Sequence, residues 1–256
     1  DIDCVTDPVA APLTVVCEGR ASRTRDELGV EFDTTRYPQH AIATRLDCER
    51  PHGQVARQWF TADGDIVAFL PLDGAKGHQV AVVWSVRTER VAALQALDDA
   101  AFAARLHDIS GQALGAVQLI APRASWPLLL ARATRWVGAM LDRPGESFAL
   151  AGDAAHAMHP LAGQGLNVGL GDAAELARVL GDRETWRPVN DLKLLRRYER
   201  ARQGDWLRMS LATDGLQQLF GRAEPAAVLL RNWGMAAFDA SGPIKRRIAR
   251  LAMGTA

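Results

Sequence analysis

The sequence predicts a mixed α/β fold, α+β in character, and three observations support this prediction. Residues 147–151 form a short apolar run closed by Gly152-Asp153, which is typical of a buried strand that ends at a site. Residues 54–86 alternate apolar and polar side chains around Asp-Gly pairs, which predicts three antiparallel strands in a meander. Helical spacing from Asp191 onward predicts a helical carboxyl-terminal region.

Composition limits the possible function classes. The 256 residues are 48% hydrophobic and 23% charged, enough for one large domain or two smaller ones. The 30 basic and 30 acidic side chains balance, which argues against nucleic-acid binding. We expect neither a signal peptide nor a membrane span, and therefore a cytoplasmic protein. Three cysteines without Cys-x-x-Cys spacing indicate neither a disulfide framework nor a zinc site.

The segment after the strand at 147–151 predicts a ligand-binding turn. Asp153 follows the strand, where α/β sheets place ligands, and a helix is expected to start near Asn167. The free N–H groups and the dipole of that helix would favour an anion. The predicted apolar stripe of the helix consists of Leu166, Leu170, Ala174 and Ala177. From the glycines alone, an ordinary turn with a helix cap explains this segment equally well.

The whole string from Ala149 to Asp172 resembles the second FAD-binding motif of the para-hydroxybenzoate-hydroxylase-like flavin monooxygenases. The resemblance implies that Asp153 binds the ribityl chain of FAD. It also implies that Pro160-Leu-Ala-Gly-Gln-Gly-Leu-Asn167 lies along the isoalloxazine and the pyrophosphate.

A second match lies near the amino terminus. The strand predicted at 13–17 is followed by Glu18-Gly-Arg-Ala-Ser-Arg-Thr-Arg25, which resembles the Asp-Gly motif of the same family. Glu18 stands where aspartate is usual and Cys17 where alanine is common, so the family's use of a nicotinamide donor is open here. Without the resemblance, the three arginines indicate a solvated basic turn. The cofactor-binding residues that both matches imply are Arg20, Asp153, Pro160, Gly163, Gln164, Gly165, Leu166 and Asn167.

No Gly-x-Gly-x-x-Gly follows any predicted strand, although this family carries its adenosine-binding unit before the Asp-Gly motif. We therefore expect the carboxyl-terminal part of a longer protein, inactive alone and not retaining FAD. In family terms, residues 1–35 and 121–190 are the remaining part of the FAD-binding domain. Residues 36–120 are the substrate-binding sheet, and residues 191–256 are the C-terminal helical region.

Runs in the predicted meander and near the carboxyl terminus resemble the ubiquinone-biosynthesis branch of the family. Trp59, Phe69 and Trp84 are candidates to line a pocket for an aromatic ring, although simple packing of the sheet explains each of them as well.

Between the meander and the second motif, the spacing predicts a helix over 88–109 and strands at 115–120 and 124–128.

The resemblance implies an FAD-dependent aromatic-ring hydroxylase that uses O2 and NAD(P)H or another reductant and acts on a polyprenyl phenol in ubiquinone biosynthesis. The flavin would carry the chemistry, without a catalytic side chain or a metal. His156 and His159 are expected only to satisfy hydrogen bonds. Two alternatives stay open: another FAD oxidoreductase of this fold, such as a reductase or halogenase, and a non-catalytic piece that binds a quinone-biosynthesis assembly.

Residues 243–254 predict a short basic amphipathic helix, with Ile244, Ile248 and Leu251 on one face. Such a helix is either a packed terminal element or a peripheral contact with the inner face of the cytoplasmic membrane.

Overall fold

The computed structural model describes residues 11–74, 77–157, 165–221, 233–234 and 240–242, with the backbone alone over 208–221. The chain divides into two compact units. The first comprises Asp1–Thr35 and Leu129–Asp214, and the second comprises Arg36–Leu128 and Gly215–Ala256. Residues 191–214 therefore pack with the first unit. The predicted terminal helix at 243–254 lies outside the described residues.

The sheet of the first unit has three strands in the order β1 (Leu13–Val16), β9 (Ser147–Leu150) and β8 (Val137–Ala139). Strands β1 and β9 are parallel and pair from Leu13 with Ser147 to Val16 with Leu150. All four residues of β9 are buried, as expected for a strand of a parallel pair that is covered on both faces. This confirms the strand predicted at 147–151.

Three helices accompany this sheet: α1 (Arg23–Glu27), α4 (Gly165–Gly181) and α5 (Leu192–Gly221). Helix α5 begins where Asp191 Oδ1 accepts the backbone N–H groups of Lys193 and Leu194 at 2.7 and 3.0 Å, a side-chain cap. This confirms the helix predicted from Asp191 onward. The core of the first unit includes the side chains of Trp136, Phe148, Leu150, Leu194, Tyr198 and Trp206.

The second unit contains an antiparallel sheet. Its meander is β3 (Arg57–Phe60), β4 (Ile66–Pro71) and β5 (Gln79–Arg87), which confirms the three predicted strands. Strand β2 (Phe32–Cys48) pairs with β5 from Gln39 to Asp47, and β6 (Val117–Leu119) pairs with the end of β2. The sequence did not predict β2, because the polar run 33–36 and Pro38 interrupt its alternation.

The single helix predicted over 88–109 is wrong in detail. The structure has a 3-10 turn at Thr88–Arg90, helix α2 (Val91–Gln95) and helix α3 (Asp99–Ile109). The break occurs because Asp98 is extended and its Oδ1 accepts the N–H of Ala101 at 2.7 Å, which starts a new helix. Helix α3 buries Phe102 and Leu106 in the core of the second unit.

Two further strands complete the fold. Strand β7 (Ala124–Ala133) is longer than the predicted 124–128, because Ala131 and Arg132 pair with the two-residue strand β10 (His156–Ala157). A short run at 156–157 gives no sequence signal for this pairing. Within the described part of the chain, no helix combines the length and the apolar content that crossing a membrane requires.

Candidate functional site

Two loops leave the sheet of the first unit at the same edge. Strands β1 and β9 are parallel neighbours, and the N–H of Ala151 still donates to the carbonyl of Val16 at 3.0 Å beyond their last pair. The loop that starts at Glu18 follows β1, and a 3-10 turn at Gly152–Ala154 follows β9. The carboxyl ends of parallel strands are where open α/β sheets bind ligands. The structure therefore brings both predicted motifs to one edge.

The loop after β1 is stabilised by its own side chains. Glu18 accepts hydrogen bonds from Thr24 Oγ1 at 2.6 Å, Ser22 Oγ at 2.8 Å and the N–H of Thr24 at 3.1 Å. The bonds from Thr24 and Ser22 hold the pKa of the Glu18 carboxyl below its usual value. Ser22 caps helix α1 by accepting the N–H of Arg25 at 3.1 Å. Glu18, which replaces the usual aspartate, thus serves as part of this cap.

Arg20 and Arg25 of this loop differ in environment. Arg20 is exposed beside Gly19, whose φ of 86° is one that glycine adopts most easily. Arg25 is buried, lies 3.8 Å from the ring centroid of Phe32, and donates to the carbonyl of Ala154 at 3.4 Å. Arg25 therefore joins the loop after β1 to the turn after β9, whereas a solvated basic turn would leave it in water.

The turn after β9 exposes the predicted ligand-binding carboxylate. Gly152 has φ of 60°, a left-handed conformation that favours glycine, and Asp153 is exposed immediately after it. A carboxylate at this position can accept hydrogen bonds from the hydroxyl groups of a sugar-like chain. Gly169 of helix α4 packs on the turn: a Cβ there would lie 3.3 Å from Gly152 Cα.

Helix α4 presents its first residues to solvent. Leu166 is 73% exposed and Leu170 60%, and Asn167 between them is also exposed. The helix predicted near Asn167 is confirmed, but its predicted apolar stripe is not its buried face, because Leu166, Leu170, Ala174 and Ala177 are all exposed. The residues buried instead are Val168, Asp172, Leu176 and Val179. Gly165 is the first residue of α4, whereas Pro160, Gly163 and Gln164 lie outside the described residues.

A buried ionic cluster lies behind the turn after β9. Asp172 Oδ2 accepts the N–H of Gly152 at 2.8 Å and His156 Nε2 at 2.7 Å, and its Oδ1 accepts Arg202 Nε at 2.8 Å. Asp172 is fully buried, and His156 and Arg202 are nearly so. His156 therefore satisfies a buried hydrogen bond, and its ring packs on Trp136 with centroids 4.8 Å apart.

Asp172 and Arg202 were not predicted from the sequence as members of this cluster. One signal was available, because Asp172 stands in the i, i+4, i+8 series of Val168 and Leu176, so a charged residue occupies a core position. The exposed stripe of Leu166 and Leu170 masked this signal, since it is apolar with the same period.

The three aromatic residues proposed for a substrate pocket belong to the sheet of the second unit. Phe69 and Trp84 are each 1% exposed in its core, and Trp59 is partly exposed, with its ring centroid 4.9 Å from that of Phe69. Trp84 Nε1 donates to the buried carboxylate of Asp65 at 3.1 Å. The environments of Phe69 and Trp84 are those of packed core residues, and Trp59 alone presents surface to solvent.

The described residues of the first unit fit a flavin nucleotide better than a metal. They offer an exposed carboxylate at a strand end, a backbone free of side chains at Gly152, and an exposed first turn of α4. These groups suit hydroxyl groups and a flat ring edge. In the part of the chain described, no cluster of three or more His, Cys, Asp or Glu side chains has a metal-binding arrangement.

The fold and the two strand-end loops are typical of α/β proteins that bind a nucleotide cofactor at the carboxyl ends of parallel strands. Residues 4–204 match the family described as FAD binding domain, and the chain belongs to this family.

Its relatives include ubiquinone hydroxylase UbiL of Rhodospirillum rubrum, 38% identical over 96% of this chain and 55% of the relative. They also include 3-demethoxyubiquinol 3-hydroxylase of Escherichia coli, 32% identical over 96% of this chain and 60% of the relative. This chain thus spans little more than half the length of these two relatives.

The solved structure of PqsL from Pseudomonas aeruginosa, a probable FAD-dependent monooxygenase, has a TM-score of 0.66 with this chain. Its sequence is 22% identical to that of this chain, and the alignment covers 83% of this chain and 57% of PqsL. At that identity the likeness shows the fold, which confirms the predicted para-hydroxybenzoate-hydroxylase-like class.

Proposed function

We propose that this protein is an FAD-dependent hydroxylase that acts on the ring of a polyprenylated phenol in ubiquinone biosynthesis. The supporting observation is the meeting of both flavin motifs at one sheet edge, where Arg25 of the first donates to the Ala154 carbonyl of the second. The substrate class comes from the named relatives, which are a ubiquinone hydroxylase and a 3-demethoxyubiquinol 3-hydroxylase.

The residues of the first unit would hold and orient the cofactor. The Asp153 carboxylate would accept hydrogen bonds from ribityl hydroxyls, and Leu166 and Asn167, which are exposed at the start of α4, would contact the flavin. The resemblance implies that the segment containing Pro160, Gly163, Gln164 and Gly165 would lie along the isoalloxazine and the pyrophosphate, and that Arg20 would also bind the cofactor. Bound FAD supplies the activation of O2, so no side chain of the chain is assigned as a catalytic acid or base.

The proposed reaction inserts one atom of O2 into an aromatic C–H bond to give a C–OH group. The other atom leaves as water, and NAD(P)H or another two-electron reductant supplies the electrons. By resemblance, the sheet of the second unit would bind the substrate ring, with Trp59 offering exposed surface and Phe69 and Trp84 packed in the core of that sheet.

Three finer parts of the proposal concern location and partners. The protein would be cytoplasmic, and residues 243–254 would lie peripherally on the inner face of the membrane, close to prenylated substrates. It would also contact a quinone-biosynthesis assembly. The chain alone would bind FAD too weakly to keep it through isolation, since the resemblance implies that most contacts to the ADP half lie elsewhere.

The test is an assay of the full-length protein to which the resemblance assigns this chain, with FAD, NAD(P)H and a polyprenyl phenol under 18O2, followed by mass spectrometry of the product. The proposal predicts one 18O atom in the ring hydroxyl group. Asp153→Ala is expected to lose the product, and Asp142→Ala, which removes an exposed carboxylate elsewhere in the first unit, is expected to keep it. Oxidation of the reductant without oxygen in the product would instead favour a reductase, and a halogenated ring would favour a halogenase.

A further inference from the structure

The buried ionic cluster formed by Asp172, His156 and Arg202 does more than fill the core. Asp172 Oδ2 is the acceptor of the Gly152 N–H, the group that opens the turn carrying Asp153. A carboxylate that is fully buried needs donors on both oxygens, and here it has three: one backbone N–H, one imidazole and one guanidinium. The position of the turn is therefore fixed by a charge on a helix 20 residues away.

The surrounding glycines of helix α4 make this arrangement possible. Gly169 allows the helix to approach the backbone of Gly152, since a Cβ there would lie 3.3 Å from Gly152 Cα. Gly171 allows the guanidinium of Arg202 to reach Asp172, since a Cβ there would lie 3.0 Å from Arg202 Nη2. Arg202 is held in turn by the carbonyl of Val168 at 3.0 Å.

We propose that Asp172 is a positioning residue for the cofactor: its carboxylate orients the Gly152 N–H and thereby places Asp153 at the sheet edge. This inference rests on the proposed FAD site. Asp172 does not itself reach the edge, because it is fully buried. Arg202 forms an ion pair with Asp172 and His156 forms a hydrogen bond with it, and both act on the turn through it.

The main test compares Asp172→Asn with Asp182→Asn. The control, Asp182, lies immediately after the same helix and pairs with Arg178 at 3.1 Å, but its side chain is 68% exposed. Each chain is titrated with FAD, and quenching of flavin fluorescence gives the Kd. We expect Asp172→Asn to bind FAD about tenfold more weakly, because one charge-assisted hydrogen bond is lost. We expect an unchanged Kd for Asp182→Asn.

A second variant separates positioning from general stability. Arg202→Lys keeps a cation beside Asp172 Oδ1 and leaves the bond from Gly152 to Oδ2, so it is expected to lower the Tm while the Kd stays within about twofold. If Asp172→Asn lowers the Tm but leaves the Kd unchanged, Asp172 is only structural and the inference is overturned.

A readout without FAD keeps the inference testable if the chain binds no flavin, an outcome that would count against the proposed function alone. Hydrogen exchange in 15N-glycine-labelled chain reports the Gly152 N–H directly. The inference predicts slow exchange in the unmodified chain and in Asp182→Asn, and faster exchange in Asp172→Asn. Rapid exchange of Gly152 in the unmodified chain would overturn it, whether or not Asp172→Asn folds.

Discussion

The two loops at the ligand edge of the first unit are stabilised in opposite ways. The loop after β1 uses Glu18, Ser22 and Thr24, which lie within six residues of one another and form mostly exposed hydrogen bonds. The turn after β9 is held by distant, buried side chains, with Asp172 on the N–H of Gly152 and Tyr198 on the carbonyl of Leu150. Arg25 connects the two through Ala154.

The difference predicts which of the two loops is more sensitive to substitution. Water competes for the bonds of an exposed loop, so each contributes little, whereas a buried charge that loses its partner has no substitute. The turn after β9 should therefore be the more sensitive region, and substitutions in the two regions should differ in size accordingly.

The largest expected effect is that of Asp172→Ala, which leaves Arg202 Nε, His156 and the Gly152 N–H without their acceptor, while Arg202 keeps its bonds to Asp205 at 2.7 Å and to the Val168 carbonyl at 3.0 Å. We expect the free energy of unfolding to fall by about 3–5 kcal/mol. Urea denaturation monitored by tryptophan fluorescence measures this. Asp182→Ala, which removes an exposed partner of Arg178, should stay within about 0.5 kcal/mol of the original chain. Equal losses for both variants would contradict the comparison.

Tyr198→Phe should have the next largest effect. Tyr198 is buried, burial raises the pKa of its phenol, and its hydroxyl donates to the Leu150 carbonyl at 2.8 Å. Phenylalanine keeps the ring packing and removes that one bond, at a cost of about 1–2 kcal/mol. The same denaturation experiment measures it, and a stability equal to that of the original chain would show that this bond contributes nothing to the turn.

Ser22→Ala tests the local loop. It removes the cap of helix α1 and one bond to Glu18, and we expect a loss of about 1 kcal/mol. Thr34→Ala is the control, because Thr34 is exposed and its hydroxyl donates to the carbonyl of Phe32, two residues earlier, at 3.2 Å. A loss as large as that of Asp172→Ala would mean that the loop after β1 is not the weaker region.

Glu18→Gln should have the smallest effect, about 0.5 kcal/mol at neutral pH, because its carboxylate is exposed to water and salt. The pKa of Glu18 is lower in the folded chain than in the unfolded chain, so its contribution is present above the unfolded pKa. The contribution is lost as the pH falls through the folded pKa. Denaturation at several pH values should therefore show that the difference in free energy of unfolding between the original chain and Glu18→Gln becomes smaller in acid. A difference that becomes larger in acid would contradict a lowered pKa of Glu18 in the folded chain.

The sequence predicts the local features of this fold well. The capped start of α5, the strand before Gly152 and the meander of β3 to β5 depend on neighbouring residues, and all were predicted. The second half of β7 and the face of α4 were not, because both are decided by pairing and burial against distant residues. Asp153 was predicted as a site residue from its place directly after a strand, and this stays a prediction; the buried Asp172 was not predicted, because its contacts with Gly152 and Arg202 join residues far apart in the chain.

The most direct test of the account is a titration of the chain with FAD, followed by flavin fluorescence, beside Asp153→Ala and Asp142→Ala. We expect saturable binding of FAD by the chain, about tenfold weaker binding by Asp153→Ala, and an unchanged Kd for Asp142→Ala. No saturable binding by the chain, or equal binding by Asp153→Ala, would contradict the claim that the two strand-end loops form a flavin site.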